Sequence, residues 1–176
     1  MHHIYHTEGI ILGSRNFGEA GRYYSIFTRD LGMIYASAQG VRKMSSKLRF
    51  ILQDFVYIKV DLVQGRDFWR ITTAEKTDQL ENIVRRPITL KIVSNLARLL
   101  RRLLAGTEKN ELLFQELVQG LVILEKAKSK EEFEDTEINI VLQILEKLGY
   151  VEGGQSARSR REALTLINRA LRETHL

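Results

Sequence analysis

Phe55-Val56-Tyr57-Ile58-Lys59-Val60-Asp61-Leu62-Val63 alternates in character from residue to residue, Gln64-Gly65-Arg66-Asp67 interrupts the alternation, and Phe68 to Ala74 resumes it. A strand places successive side chains on opposite faces. Val56, Ile58, Val60 and Leu62 therefore share one face, and Phe55, Tyr57, Lys59 and Asp61 share the other. The Gly-containing interruption predicts a turn, so the stretch is a β-hairpin. The same pattern extends upstream. Tyr23 to Thr28 and Met33 to Ala38 flank Arg29-Asp30-Leu31-Gly32, which predicts a second hairpin. His6 to Leu12 supplies a first strand, and Arg15 to Glu19 is a polar, Gly-containing connection. Residues 40–52 lack the alternation and form a non-strand insert, a loop or a short helix. Five short strands with an insert between the third and fourth fit a small closed barrel of the OB type. The strand number also fits an SH3-like barrel.

After Asn82 the period changes from two to that of a helix. Pro87 suits a first helical turn. Val93, Leu96, Ala97, Leu100, Leu103 and Leu104 then recur on one helical face, with Lys91, Arg98 and Arg102 on the other. Gly106-Thr107 is expected to end this helix and cap the next, which carries Leu113, Leu117, Leu121 and Leu124. A third helix runs from near Glu131 to Leu148, with Phe133, Ile138, Val141, Leu142 and Leu145 apolar, and Gly149 stops it. Gly153-Gly154 predicts a turn. Ser159 and Glu162 have the spacing of a capping box before Leu164, Ile167 and Leu171. The expected fold is α+β: a five-stranded OB-type barrel over residues 1–80 and a helical domain over 81–176. The junction from Glu75 to Arg86 has no Gly/Ser-rich linker, so the two parts are expected to pack together.

Composition excludes several classes of chemistry. The chain has 176 residues, one Pro and no Cys, which removes disulfides, thiolate metal sites and cysteine nucleophiles together. No nucleotide-phosphate loop, dinucleotide fingerprint or nucleophile elbow is present. His2, His3, His6 and His175 are the only histidines. A His2/His6 pair on one strand face has no carboxylate cluster beside it, so no metal or cofactor is expected. Glu131-Glu132 and Glu134-Asp135 sit at a helix start, where they complement the dipole. The apolar run from Ile88 to Ala105 is broken by Lys91, Arg98, Arg101 and Arg102, and no membrane span is expected. These features predict a non-enzymatic, cytoplasmic protein.

The net charge of +5 is unevenly spread. Residues 81–106 hold 6 Lys+Arg against 1 acid, whereas residues 107–152 hold 11 acids against 5 Lys. An anionic partner must avoid the second segment. Between Asp30 and Asp54 there is no acidic residue, yet Arg42, Lys43, Lys47 and Arg49 all lie there. A solvated loop would account for four cations alone. Of the 14 aromatic residues, however, 11 lie in the first 80 positions. Single-stranded nucleic acid calls for cations along the phosphates and flat rings against the bases. The candidate phosphate contacts are Arg15, Arg22, Arg42, Lys43, Lys47 and Arg49, and the candidate stacking rings are Phe17, Tyr24, Tyr35 and Tyr57. Core packing competes for every one of these rings, and Trp69 is assigned to packing. Lys91, Arg98, Arg101 and Arg102 form either a solvated helix face or a dock for an acidic protein tail or for more nucleic acid.

Thr7-Glu8-Gly9-Ile10-Ile11-Leu12, Ser14-Arg15-Asn16-Phe17-Gly18-Glu19-Ala20 and Phe27-Thr28-Arg29-Asp30-Leu31-Gly32 together resemble the opening of the bacterial RecO family of DNA repair proteins. Ala38-Gln39-Gly40-Val41-Arg42-Lys43 and Ser46-Lys47-Leu48 extend the resemblance, which covers roughly residues 7–75. Phe133-Glu134 and Leu145-Glu146-Lys147-Leu148-Gly149-Tyr150 continue it more weakly. The resemblance implies an OB-fold domain followed by helices. It also implies a protein, expected to be a monomer on its own and associated with the nucleoid, that binds single- and double-stranded DNA and anneals complementary strands. Such a protein helps load RecA onto DNA covered by single-stranded DNA-binding protein, together with RecR and in some lineages RecF. The family's basic barrel positions map onto Arg15, Arg22, Arg42, Lys43, Lys47 and Arg49. The acidic tail of the single-stranded DNA-binding protein would meet the helices near Arg98 to Arg102. Many members carry a four-cysteine zinc module after the Leu-Gly-Tyr block. Here Tyr150 is followed by Val151-Glu152-Gly153-Gly154 and no Cys, so metal binding is not carried over. The competing readings are a protein-docking adaptor and an RNA-binding OB module.

Overall fold

The computed structural model describes residues 3–104, 108–152 and 159–173. Five strands, β1 (Ile4–Phe17), β2 (Gly21–Thr28), β3 (Gly32–Ala38), β4 (Tyr57–Gln64) and β5 (Trp69–Lys76), close into a barrel in the order β1-β2-β3-β5-β4. Both expected hairpins are present, β2 with β3 and β4 with β5, each antiparallel. Closure comes from a short parallel contact that sets Ala36 beside Trp69 and Ser37 beside Arg70. The out-of-sequence order is that of an OB fold and removes the SH3-like alternative. Four-residue α1 (Leu48–Ile51) sits in the insert between β3 and β4.

The strand boundaries differ from the sequence reading by at most two residues, except at the end of β1, which runs five residues further. β1 continues through Arg15, Asn16 and Phe17, which were expected in a connection. β1 pairs with β4 over Ile4 to Ile10 and with β2 from Gly9 to Phe17, and a bulge between Ile11 and Gly13 shifts the register against β2. Polar residues are tolerated there because the outer face is open to water. β4 starts at Tyr57 rather than Phe55, because Phe55 has φ +68 and its N–H donates to the Ile11 carbonyl at 2.7 Å.

The helices are α2 (Pro87–Leu103), α3 (Glu111–Lys126), α4 (Lys130–Lys147) and α5 (Arg160–Glu173). Gly106, Thr107, Gly153 and Gly154 lie outside the described residues, as do His2 and His175. The cap of α3 is Asn110, whose side chain accepts from the Leu113 N–H at 3.0 Å. Ser129 caps α4 by accepting from Glu132 N–H, and Glu132 reaches back to the Lys128 N–H at 2.7 Å. Ser159 Oγ accepts from the Glu162 N–H at 3.3 Å at the start of α5. Among the described residues no helix is long and apolar enough to cross a membrane.

Two main cores result. Ile11, Tyr24, Ile26, Ile34, Ile58, Val60 and Leu62 fill the barrel interior. A second core joins the outside of the barrel to the helices: Ile10, Leu12, Phe27, Met33 and Tyr57 pack with Ile92, Leu96, Leu100, Leu113, Phe114 and Leu117. The Phe114 ring lies edge-on to Phe27 at 5.5 Å and to Tyr57 at 5.9 Å. The helices thus cover one half of the outer face of β1-β2-β3 and leave the other half open.

Candidate nucleic-acid interface

The open half is ordered by strand register. Gly13 pairs with Ser25 and Ser25 with Tyr35, so these three form one row across β1, β2 and β3. Arg15 pairs with Tyr23, Tyr23 with Ser37 and Ser37 with Arg70, which extends the next row into β5. Phe17 stacks on Tyr23 with centroids 4.2 Å apart, and the Arg15 guanidinium lies 5.3 Å from the Tyr23 ring. Phe68 lies tilted against Tyr23 with centroids 5.0 Å apart. A cleft of about 350 Å³ opens among Arg15, Tyr23, Tyr35, Phe68 and Arg101.

The basic insert joins this face at the β1–β2 turn. The Arg42 N–H donates to the Ala20 carbonyl at 3.0 Å, and the Arg42 guanidinium reaches the Gly18 carbonyl at 3.5 Å. Arg22, facing Asn16 and Ala38 across its neighbours, donates from Nε to Asn16 Oδ1 at 2.9 Å. Arg42, Lys43 and Lys47 are exposed, and the Arg49 guanidinium sits 4.6 Å from the Phe50 ring. Three carboxylates of the acidic segment are paired with cations other than those of the insert: Glu111 with Arg29 and Lys109, Glu116 with Lys147, Glu134 with Arg160. The structure therefore brings Arg15, Arg22 and Arg42 to one end of the barrel, with Lys43, Lys47 and Arg49 following on the same insert.

The stacking candidates fare differently. Tyr35 is 51% exposed. Tyr24 is 1% exposed inside the barrel, where burial pushes its phenol up, and it has no open face for a base. Tyr57 is 7% exposed beneath Phe114 and donates to Glu8 Oε2 at 2.8 Å; burial, then that carboxylate, push its phenol up. These two positions are corrected from stacking to packing. Phe17 is half-buried, with one face on Tyr23 and an edge over Gly21, so it buttresses the site. Trp69 packs edge-on to Tyr5 at 5.0 Å.

Sequence reasoning passed over Tyr23, Phe68 and Arg70. Tyr23 was recoverable, because Tyr24 shares the inward parity of Ile26 and leaves Tyr23 outside. Arg101 was placed with Lys91, Arg98 and Arg102, yet it turns toward the barrel, and its Nη1 donates to the Leu12 carbonyl at 3.0 Å. A Cβ on Gly13 would collide with that guanidinium. Lys91, Arg98 and Arg102 are exposed on α2, in a row without Arg101.

The opposite side of the barrel has another electrostatic character. A cleft of about 670 Å³ there is lined by Glu8, Asp30, Asp61, Glu75 and Glu111 together with Arg29, Lys59 and Lys109. Arg29 Nε meets Glu111 Oε1 at 3.0 Å, and this guanidinium, ahead of Lys109, holds the Glu111 carboxyl below the usual range. Positive and negative groups cancel at short range, so a polyanion finds little net attraction. Among the described residues no group of three His, Cys, Asp or Glu is placed to hold a metal ion.

Residues 1–80 match the family described as Recombination protein O N terminal. The chain is 31% identical over 125 residues to the DNA repair protein RecO of Rubrobacter xylanophilus, covering 71% of this chain and 50% of that protein. It is 28% identical over 140 residues to the DNA repair protein RecO of Alkaliphilus metalliredigens, covering 80% of this chain and 54% of the relative. The match to the protein of the same name in Heliobacterium modesticaldum is 31% over 100 residues, 57% of this chain and 37% of that one. The chain thus spans about half the length, or less, of these curated relatives.

Proposed function

On the premise that this chain belongs, through residues 1–80, to the RecO family of recombination proteins, we propose that it binds single- and double-stranded DNA and anneals complementary strands. It does so without bond chemistry of its own and assists RecA loading during repair. The observation that carries this reading is the open barrel end: Arg15 lies on the exposed aromatic face, Arg22 and Arg42 are held at the adjoining β1–β2 end, and Lys43, Lys47 and Arg49 continue along the insert, while Glu111, Glu116 and Glu134 of the acidic segment pair with other cations. Annealing requires that two polyanions be held together, that their repulsion be screened, and that their bases stay free to search. A cationic barrel end meets the first two needs by displacing condensed counterions. Residues 1–80 form the DNA-handling unit and residues 81–176 its helical support. The exposed row of Lys91, Arg98 and Arg102 takes the acidic tail of the single-stranded DNA-binding protein, and RecR, in some lineages with RecF, joins the assembly in the cytoplasm at the nucleoid.

The test is an annealing assay with complementary oligonucleotides, bare and coated with single-stranded DNA-binding protein. The wild-type chain accelerates annealing on both, and the combined Arg42→Glu, Lys43→Glu and Lys47→Glu variant does not, while its circular dichroism is unchanged. Normal annealing by the folded triple variant would remove the basic insert from the site.

A further inference from the structure

The cleft at the boundary between barrel and helices carries a narrower reading. Resting on the DNA-binding reading above, we propose that it is a site for one unpaired nucleotide of single-stranded DNA, with the base against Tyr35 and Phe68 and the phosphate on Arg15 and Arg101.

Its volume of about 350 Å³ admits a single nucleotide rather than a helix. Three of its walls are aromatic: Tyr35 is 51% and Phe68 41% exposed, and Tyr23 is held by ring contacts with Phe17 and Phe68. Its charged lining is Arg15 and Arg101, with no carboxylate. The larger cleft across the barrel mixes five carboxylates with Arg29, Lys59 and Lys109 and offers a phosphate little net attraction. An aromatic wall stacks on a base only if that base has a free face, and in duplex DNA both faces are covered by neighbours. The cleft therefore selects unpaired strands, whereas the basic insert contacts phosphates of either form.

Arg101 makes this site depend on the helices. One guanidinium nitrogen is fixed by the Leu12 carbonyl at 3.0 Å, which holds the planar group at the rim of the cleft. Four of its five N–H donors remain for a phosphate oxygen or for solvent. Gly13 is the position that permits this approach, because a side chain there would displace the arginine. Gly13→Ala thus pushes the Arg101 guanidinium aside, and at φ +157 it also strains the β1 backbone, so Arg101→Gln is the cleaner variant.

The experiment measures binding of the full chain to an oligodeoxythymidylate carrying one 2-aminopurine, and to an unlabelled duplex of equal length. For the wild type, 2-aminopurine fluorescence is quenched on binding. Tyr35→Leu and Arg101→Gln each weaken single-strand binding by about tenfold and abolish the quenching, while duplex affinity stays within about twofold. Gly13→Ala acts like Arg101→Gln, and Arg101→Lys recovers part of the affinity. Tyr35 is exposed, so its variant reads out even if an Arg101 variant unfolds. If the wild type binds both DNAs but Tyr35→Leu leaves affinity and quenching unchanged, the cleft is not the site and the basic insert alone holds DNA. Equal losses on both DNAs also overturn the proposal, since they mark a structural role. If the wild type binds neither DNA, the broader reading fails as well.

Discussion

Tyr23 and Tyr24 are adjacent in sequence and opposite in fate. Period-two alternation sends Tyr24 inward with Ile26 and Tyr23 outward with Ser25, and the open outer face keeps Tyr23 within reach of a ligand. The pattern was legible, but the choice between two neighbouring rings depends on which face is covered, and that depends on helices distant in sequence. The Tyr24 hydroxyl is buried and without a hydrogen-bond partner among the described residues. An unsatisfied buried hydroxyl costs stability, so Tyr24→Phe is expected to leave the unfolding free energy unchanged or raise it by up to about 1 kcal/mol. DNA affinity should not change. A clear fall in DNA affinity would return Tyr24 to the binding surface.

Asp61 sets a second residue-scale expectation. Thr73 Oγ1 donates to one of its oxygens at 2.6 Å and His6 Nδ1 lies 2.6 Å from the other; the threonine bond, then His6, hold its carboxyl below the usual range. A depressed folded-state value means that the contribution is full above the ordinary carboxylate range. It is lost as pH falls through the folded value. The site is a third exposed, so its worth is below about 1 kcal/mol. Thermal midpoints measured against pH should show Asp61→Asn less stable than wild type at neutral pH, with the gap closing in acid. A gap constant with pH would contradict this.

At the scale of elements, the helices were legible because caps are written locally. The end of α4 is a clear case. Gly149 has φ +80, its N–H donates to Glu146 O at 3.0 Å, and the Tyr150 N–H donates to Leu145 O at 2.8 Å. This Schellman arrangement needs a left-handed residue. A Cβ at Gly149 meets nothing within 4 Å, so Gly149→Ala should cost about 1 kcal/mol through backbone strain alone, measured by urea unfolding. No loss would mean that the helix ends differently. Other roles at this scale were invisible in sequence. Arg86 counts as one of the six cations of residues 81–106, yet its guanidinium donates to the Leu124 and Ala127 carbonyls at the end of α3. Arg101 shares helical spacing with Arg98 and Arg102 but is claimed by Leu12 of the barrel. Neither outcome follows from spacing on a helix, because in each case the partner is a main-chain carbonyl on another element.

Across the whole molecule, the covered and open halves of one sheet face organise function. The core that joins Ile10, Phe27, Met33 and Tyr57 to Phe114 and Leu100 takes half of the outer barrel surface out of water, and the polar and aromatic remainder lies beside the basic insert. The paired network of Arg29, Glu8, Glu111 and Lys109 occupies another side of the barrel. The sequence separated basic from acidic segments, but only the fold places Glu111 on Arg29 and away from Arg42. The most direct measurement of the central claim is the salt dependence of single-stranded DNA affinity for the wild type and the Arg42→Glu, Lys43→Glu, Lys47→Glu variant. If each of the three cations neutralises one phosphate, the wild-type log–log slope is steeper than the variant's by at least about 2, and the variant binds only at low salt. Equal slopes and equal affinities would contradict the assignment of the barrel end as the surface that holds DNA.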